Sequence, residues 1–223
     1  KLPETEKNVD VVYFAGCMGH LTPAVKRAML QIFDKAGVNY TFLDEDGSIC
    51  CGRPLKLAGM KDAALKLVAE NTSKIKRTNA KILVTSCPIC YKVFNSDYQL
   101  DGMQVMHHSA FIDKLVGEKK IKLNPLGITT VYHDPCELGR GSGIYEQPRH
   151  VLNQISELAG VTEERANSLC CGGSIGELNM NAAQRNVIRD NALSVLCDPN
   201  PDILVTACPL CKKTFESGNL TQV

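Results

Sequence analysis

Short apolar runs alternate along the chain with longer segments whose apolar residues recur at helical spacing. The first run covers residues 9–14, and a helix predicted over residues 23–36 follows it, with Thr22 as N-cap and Gly37 at its end. Further strands are predicted over residues 38–43, 82–85 and 104–106, and further helices over residues 61–77, 90–96 and 110–116. This alternation predicts an α/β fold with mainly parallel sheets.

The same order of elements recurs in the second half of the chain. Strands are predicted over residues 128–132 and 203–206, and helices over residues 147–158 and 181–196. The strand expected before the second cysteine pair is only weakly predicted, because residues 163–167 lack a strand pattern.

An internal repeat explains why the two halves match. Three segments of the first half have similar counterparts 119 to 121 residues later. Residues 12–17 correspond to residues 131–136, Cys50-Cys51-Gly52 to Cys170-Cys171-Gly172, and residues 82–90 to residues 203–211. The chain is therefore a tandem duplication, with a first half over residues 1–122, a second half over residues 123–223, and a linker within residues 117–127. We expect two small Rossmann-like units related by pseudo-twofold symmetry.

Composition and charge exclude several classes of function. The net charge is +1 and the basic and acidic residues are scattered along the chain, so we expect no binding to nucleic acid or anionic lipid. No apolar run approaches the ~18 residues of a membrane helix, and the residues before the first predicted strand do not show the charged-then-apolar pattern of a leader. We expect a cytoplasmic protein without a transmembrane segment and, because the sequence begins at Lys1, a part of a longer chain.

Eleven cysteines are unusual for a chain of this length. An odd count without an export signal argues against a disulfide framework and favours metal binding. Ten of them form two matched sets, defined here as the first motif (Cys17, Cys50, Cys51, Cys87, Cys90) and the second motif (Cys136, Cys170, Cys171, Cys208, Cys211). Each set follows predicted strands, whose carboxyl ends share one edge of a parallel sheet, so five thiols can converge there.

The type of metal follows less directly from the residues. The Cys-Pro-x-Cys segments open predicted helices, whose free N–H groups and dipole favour the thiolate that ligates metal. A zinc site takes four ligands and each motif offers five, while adjacent cysteines suit the several irons of an iron–sulfur cluster. Zinc at one motif stays an alternative, and so does a zinc-binding structural or interaction module. Thiol–disulfide exchange without metal would leave eight matched cysteines unexplained.

The doubled ten-cysteine pattern resembles the CCG, or cysteine-rich, domain family over nearly the whole chain. That family includes heterodisulfide reductase catalytic subunits and iron–sulfur subunits of anaerobic glycerol-3-phosphate, glycolate and lactate dehydrogenases. The resemblance implies a noncubane [4Fe–4S] cluster held by all five cysteines of each motif, and an upstream ferredoxin-type domain. It further implies an oxidoreductase in an anaerobic complex, with a flavoprotein or ferredoxin-type partner and a small disulfide as substrate. An electron-relay protein that feeds quinone is the alternative.

Few other residues are candidates for chemistry. His133, Arg53 and Arg140 lie beside motif cysteines and are weak catalytic candidates, with structural or surface roles as alternatives. Two adjacent histidines, at positions 107 and 108, could line the site, although a loop role is the default. Cys197 has no counterpart in the first half, and we interpret it as a small apolar residue at a helix end.

Overall fold

A computed structural model describes residues 8–173 and 179–218. The chain divides into two compact units, Lys1–Phe111 and Ile112–Val223. The helix α6 defined below crosses this division, and the domain boundary at residues 122 and 123 stays a prediction.

The first unit is built on a four-stranded parallel sheet. Its strands are β1 (Val11–Phe14), β2 (Tyr40–Phe42), β3 (Ile82–Thr85) and β4 (Gln104–His107), in the order β2-β1-β3-β4. The helices between and after them are α1 (Gly16–Leu21), α2 (Pro23–Lys35), α3 (Arg53–Leu57), α4 (Lys61–Lys76), α5 (Pro88–Asp97) and α6 (His108–Gly117). Because all strands run parallel, their carboxyl ends lie along one edge of the sheet.

The second unit repeats this arrangement around a three-stranded parallel sheet. Its strands are β5 (Thr129–His133), β6 (Glu157–Ala159) and β7 (Ile203–Thr206), in the order β6-β5-β7. Its helices are α7 (Gly139–Ser142), α8 (Glu146–Leu152), α9 (Ala182–Leu196) and α10 (Pro209–Glu216), with a 3₁₀ turn at Arg165–Asn167. The predicted fold class, two α/β units with parallel sheets, is confirmed.

Each unit has its own hydrophobic core beneath its cysteines. In the first, Phe14 is fully buried and its ring meets Phe94 edge-on at 5.0 Å between centroids. In the second, His133 stands in the position of Phe14 and meets Phe215 at 4.8 Å in the same geometry. The buried motif cysteines belong to these cores, so the fold itself restricts where their sulfurs can lie.

Three local predictions need correction or detail. The helix predicted over residues 147–158 is wrong at its end, because α8 stops at Leu152 and Leu158 pairs with Thr130 in β6. Parallel pairing with β5 outweighs the helical pattern there. Thr22 is the N-cap residue of α2, but its hydroxyl donates to Met18 O within α1. The adjacent histidines do not lie in a loop, since His107 ends β4 and the next residue starts α6.

Among the described residues, no helix is both long enough and apolar enough to cross a lipid bilayer.

Candidate metal centres

The five cysteines of the first motif follow three neighbouring strands. Cys17 lies in α1 directly after β1, and the pair Cys50-Cys51 lies in the loop between β2 and α3. Cys87 is the N-cap residue of α5 after β3, and Cys90 follows in the first turn of that helix. Since β2, β1 and β3 are adjacent in the sheet, the three segments meet at its carboxyl edge.

The second motif is placed in the same way. Cys136 follows β5, Cys208 is the N-cap residue of α10 after β7, and Cys211 lies in the first turn of α10. Cys170 and Cys171 come after the 3₁₀ turn that follows β6. The structure therefore brings each predicted set of five together at one sheet edge.

Each motif combines three buried thiols with two more accessible ones. Cys51, Cys87 and Cys90 are 3–4% exposed, and their counterparts Cys171, Cys208 and Cys211 are 4–7% exposed. Cys50, Cys136 and Cys170 are partly exposed, and Cys17 is exposed. Each candidate centre is thus anchored in the core on one side and reaches the surface on the other.

Hydrogen bonds between neighbouring thiols set the protonation of the first motif. Thiols of Cys50 and Cys90 donate to the Cys51 sulfur and lower the pKa of Cys51 to about 3. Cys90 also donates to Cys87, which lowers the pKa of Cys87 and raises that of Cys90. Burial, together with the charges of Cys87 and Cys51, raises the pKa of Cys17. The sulfurs of Cys50, Cys51, Cys87 and Cys90 are therefore linked at hydrogen-bonding distance.

The second motif repeats this pattern. Thiols of Cys170 and Cys211 donate to the Cys171 sulfur and lower the pKa of Cys171 to about 3. Hydrogen bonds from Cys211 to Cys171 and Cys208 raise the pKa of Cys211, and burial raises that of Cys136. One strongly acidic thiol in each motif is therefore the second cysteine of the Cys-Cys-Gly sequence.

Backbone N–H groups also point at the sulfurs. Gly52 N donates to Cys50 Sγ and Gly172 N donates to Cys170 Sγ, both at 3.4 Å. Gly16, at φ +74°, brings the backbone so close to the motif that a Cβ there would lie 3.0 Å from Cys90 Sγ. Only glycine combines this backbone angle with that approach.

In the first unit, buried polar side chains hold the Cys50-Cys51 loop. Asn71 of α4 donates to Cys50 O at 2.8 Å and to Tyr98 Oη at 2.9 Å. Tyr98 in turn donates to Cys51 O at 3.0 Å. Neither residue was among the sequence candidates, and each stands within a helix or at its end with no local signal of its role.

In the second unit, His133 connects all three cysteine-bearing segments. It ends β5, which leads to Cys136, and it bonds Leu169 O at 3.0 Å and Thr206 Oγ1 at 3.2 Å. Because a carbonyl only accepts, Nε2 carries the proton and Nδ1 accepts from Thr206. Burial lowers the pKa of His133, which agrees with a neutral ring. These two hydrogen bonds support the interpretation of His133 as a structural residue.

The two arginine candidates lie beside the cysteine pairs. Arg140 Nη1 donates to Ala166 O at 3.0 Å and Ser168 O at 2.6 Å, so it holds the segment that enters Cys170. Arg53 begins α3, and its backbone N–H helps to lower the pKa of Cys51. A catalytic role for His133, Arg53 or Arg140 stays a prediction.

Two buried aspartates position the loops that carry Cys17 and Cys136, and both were absent from the sequence candidates. Asp44 accepts from Ala15 N at 2.9 Å and Gly16 N at 2.8 Å. Asp134 forms a bidentate pair with Arg149, with both bonds at 2.7 Å. Asp134 lies two residues before Cys136, and this proximity was the available sequence signal.

Cys197 is the C-cap residue of α9 and is partly exposed, as expected for a residue at a helix end. Residues 174–178, which follow the second Cys-Cys-Gly-Gly, lie outside the described part of the chain. Within residues 8–173 and 179–218, no three His, Cys, Asp or Glu side chains stand in the arrangement of a single-ion site.

The donor set of each motif fits an iron–sulfur cluster. In each motif four thiols are linked by hydrogen bonds, and a fifth, Cys17 or Cys136, is close enough that the charges of the others add to burial in raising its pKa. Thiols are the soft ligands that iron–sulfur clusters require. The N–H groups of Gly52 and Gly172 supply the hydrogen bonds to sulfur that tune such clusters.

The chain belongs to the cysteine-rich domain family, because the family model matches it twice, over residues 11–95 and 130–216. This confirms both the resemblance and the duplication. Each match runs from the first strand of its unit to beyond the Cys-Pro-x-Cys helix start.

Relatives in this family include redox proteins. The chain is 31% identical to an "EtfAB:quinone oxidoreductase" of Syntrophomonas wolfei, covering 97% of this chain and 32% of the relative. It is 34% identical to one subunit of the dihydromethanophenazine:CoB–CoM heterodisulfide reductase of Methanosarcina acetivorans, covering 94% and 54%. The chain therefore spans between a third and about half of the length of these relatives.

Among solved structures, a putative Asp/Glu racemase from Yersinia pestis aligns with a TM-score of 0.41 at 13% identity, over 92% of this chain and 88% of that one. A score of this size supports no conclusion about function.

Proposed function

We propose that this chain is an iron–sulfur oxidoreductase module with one cluster at each five-cysteine motif. The observation that carries the proposal is the convergence of five cysteines at the same sheet edge in each unit, four of them linked by hydrogen bonds between their thiols. When bound, the clusters supply one-electron storage and transfer. The names of the related proteins support an oxidoreductase role, and the heterodisulfide reductase-like specificity is our finer proposal.

All five cysteines of each motif act as ligands in this proposal, with a noncubane [4Fe–4S] cluster as the type. The hydrogen bonds that Cys51 and Cys171 accept from neighbouring thiols lower their pKa and favour the thiolate form that binds metal. Cys90 and Cys211 must lose protons on metal binding, so loading releases protons and is favoured by higher pH. Zinc at one motif is the competing assignment.

A small disulfide is the proposed substrate. Its reduction consumes two electrons and two protons, breaks one S–S bond and yields two thiols. The accessible sides of the motifs, at Cys17 and Cys50 or at Cys136 and Cys170, are where such a molecule would meet the site. Relay to quinone is the second candidate, supported by the name of the Syntrophomonas relative.

The proposed setting is a multi-subunit complex at a cytoplasmic location, either soluble or held at the membrane through a partner. The related heterodisulfide reductase protein is named as a subunit, which supports a partner chain. A flavoprotein or ferredoxin-type protein is the proposed electron partner.

Metal analysis tests the cluster assignment. Anaerobic purification followed by iron, acid-labile sulfide and zinc determination should give about four iron and four sulfide per motif. Zinc at stoichiometric level without acid-labile sulfide would contradict the proposal. Cys51→Ser and Cys171→Ser should each alter one EPR signal, whereas Cys197→Ser, a change outside both motifs, should alter none.

Turnover assays separate the two substrates. A reduced viologen dye supplies electrons to the anaerobic protein in the presence of either an asymmetric thiol disulfide or a short-chain quinone. The disulfide proposal requires dye oxidation with two thiols formed per two electrons. Oxidation by quinone alone would favour the relay function.

A further inference from the structure

A basic helical hairpin follows the first Cys-Cys-Gly sequence. Residues 53–77 contain seven Lys or Arg and two Asp or Glu, a net charge of +5 in a chain whose total is +1. The 25 residues at the same place after the second Cys-Cys-Gly, 173–197, contain two of each sign. Positive charge is therefore not evenly scattered along the chain but is concentrated beside one motif.

Exposed apolar side chains lie within this basic segment. Leu57, Met60 and Leu65 are 48%, 53% and 68% exposed, although large apolar side chains of this kind are normally buried. Lys61 and Leu65 are four residues apart on α4 and so share a face of the helix, and Lys66 follows. Three exposed apolar side chains and the exposed lysines 56, 61 and 66 therefore lie together within residues 56–66, which are called here the apolar spot.

The hairpin follows the first motif directly in sequence and is hydrogen-bonded to it. α3 begins at Arg53, immediately after Gly52, and its five residues span only about 7 Å. α4 contacts the cysteine loop through the Asn71 bond to Cys50 O at 2.8 Å. A molecule that touches Leu57 or Met60 therefore lies close to Cys50 and Cys51.

We propose that this hairpin, α3 and α4 with their flanking residues (53–77), is the docking surface for an acidic one-electron carrier protein that exchanges electrons with the first motif. The proposal rests on the proposed function. One electron leaves the reduced carrier and is accepted at the motif, so the carrier is oxidised and the site reduced by one electron, with no bond formed or broken. In the reverse direction, one electron passes from the reduced site to the oxidised carrier.

Charge complementarity favours a protein of this kind. Lysines around a contact spot attract an acidic carrier and raise its association rate by 10- to 1,000-fold at low salt. Redox encounters use interfaces below about 1,200 Å², which agrees with a spot of three apolar side chains. An anionic membrane would need a larger apolar face, and the chain contains no Trp to anchor one.

Charge reversal tests the surface. Lys61→Glu/Lys66→Glu is compared with the matched double variant Lys35→Glu/Lys122→Glu, which changes exposed lysines outside the hairpin. The probe is an acidic flavodoxin reduced to its hydroquinone and mixed anaerobically with the full chain. We expect the hairpin variant to slow cluster reduction by about ten-fold or more at low salt. The control should match the unmodified protein, and dithionite should reduce all three equally.

Leu65→Ser tests the apolar part, with the equally exposed Val187→Ser of α9 as its control. We expect weaker flavodoxin binding for Leu65→Ser only. Equal rates for the two double variants, or no flavodoxin binding by the unmodified chain, would overturn the proposal. It would also be overturned if the unmodified chain bound anionic phospholipid vesicles, and the hairpin variants lost that binding while flavodoxin binding stayed the same. Flavodoxin binding is titrated whether or not the purified chain contains iron. A chain that forms no clusters would refute the proposed function, and the binding titration would still test the docking surface.

Discussion

Each unit places its five motif thiols in the same way, but the two units hold them by different polar contacts. In the first, Asp44 binds the backbone of the Cys17 loop directly, and Asn71 with Tyr98 holds the cysteine pair. In the second, Asp134 is held by Arg149 and His133 connects the loops. The duplication has therefore kept the ligands and the sheet edge, while the side chains that support them have diverged.

This difference indicates which features a metal centre of this type demands. Ligand positions depend on strand ends and helix starts, which every copy must keep. The cysteine loops, in contrast, can be held by any buried side chain that forms hydrogen bonds with their backbone N–H or C=O groups. Variants of the supporting residues should therefore affect one unit at a time.

The largest expected effect is in the second unit, at Arg149. Arg149→Met removes both bonds to Asp134, whose side chain is only 2% exposed, and leaves a buried charge without its partner. We expect a loss of about 3–5 kcal/mol in the free energy of unfolding, measured by chemical denaturation. Asp134→Asn/Arg149→Met should recover part of this loss. A double variant as unstable as the single one would contradict the ion-pair explanation.

The glycines of the two Cys-Cys-Gly sequences provide the next comparison. Gly52 and Gly172 both have positive φ, +98° and +79°, so alanine costs about 1–2 kcal/mol at either position. At Gly172 the new Cβ would also lie 2.6 Å from Arg185 O, whereas at Gly52 its nearest contact is a flexible leucine at 3.7 Å.

We therefore expect Gly172→Ala to cost about 1–3 kcal/mol more than Gly52→Ala in thermal or chemical unfolding. Because the neighbour at Gly172 is helix backbone, it cannot move without displacing α9. Equal costs at the two positions would show that α9 adjusts freely.

A third, smaller effect concerns His133 and its counterpart Phe14. His133→Phe keeps the edge-on contact with Phe215 but leaves Leu169 O and Thr206 without their bonds. We expect a loss of about 1–3 kcal/mol and a change in the EPR signal of the second motif alone. Phe14→Leu is the control in the first unit: it changes the side-chain volume at the corresponding position without removing a hydrogen bond. An unchanged second signal would argue that the histidine contacts do not position the cysteines.

The smallest expected effect is a pH dependence in the first unit. Burial raises the pKa of Asp44 above its usual 3.8, against the opposing bonds from Ala15 N and Gly16 N. A carboxyl group whose pKa is raised by folding contributes stability below its unfolded pKa and loses it as pH rises through the folded value. The stability advantage of the unmodified chain over Asp44→Asn should therefore shrink as pH rises above about 4. Glu45→Gln, an exposed neighbour, should show no such trend, and a widening gap would contradict the assignment.

Pattern alone predicted most strands and helices, because apolar periodicity reports directly which face of an element is buried. It failed between Gln147 and Leu158, where pairing between β5 and β6 decided the structure. It also gave no sign of α3, a short helix whose start is set by Gly52 and Pro54. Short elements depend on contacts with distant residues, which sequence periodicity does not contain.

Sequence by itself determined the duplication, the ten cysteines and the α/β alternation that brings them to one edge, because these follow from repeats and strand order. Only the tertiary structure decided how each loop is held. Asp44, Asn71 and Arg149 are 28, 21 and 15 residues along the chain from residues that they bind, so these contacts form only through folding. The same holds for the basic hairpin, where exposure of Leu57, Met60 and Leu65 could be read only from the packed helices.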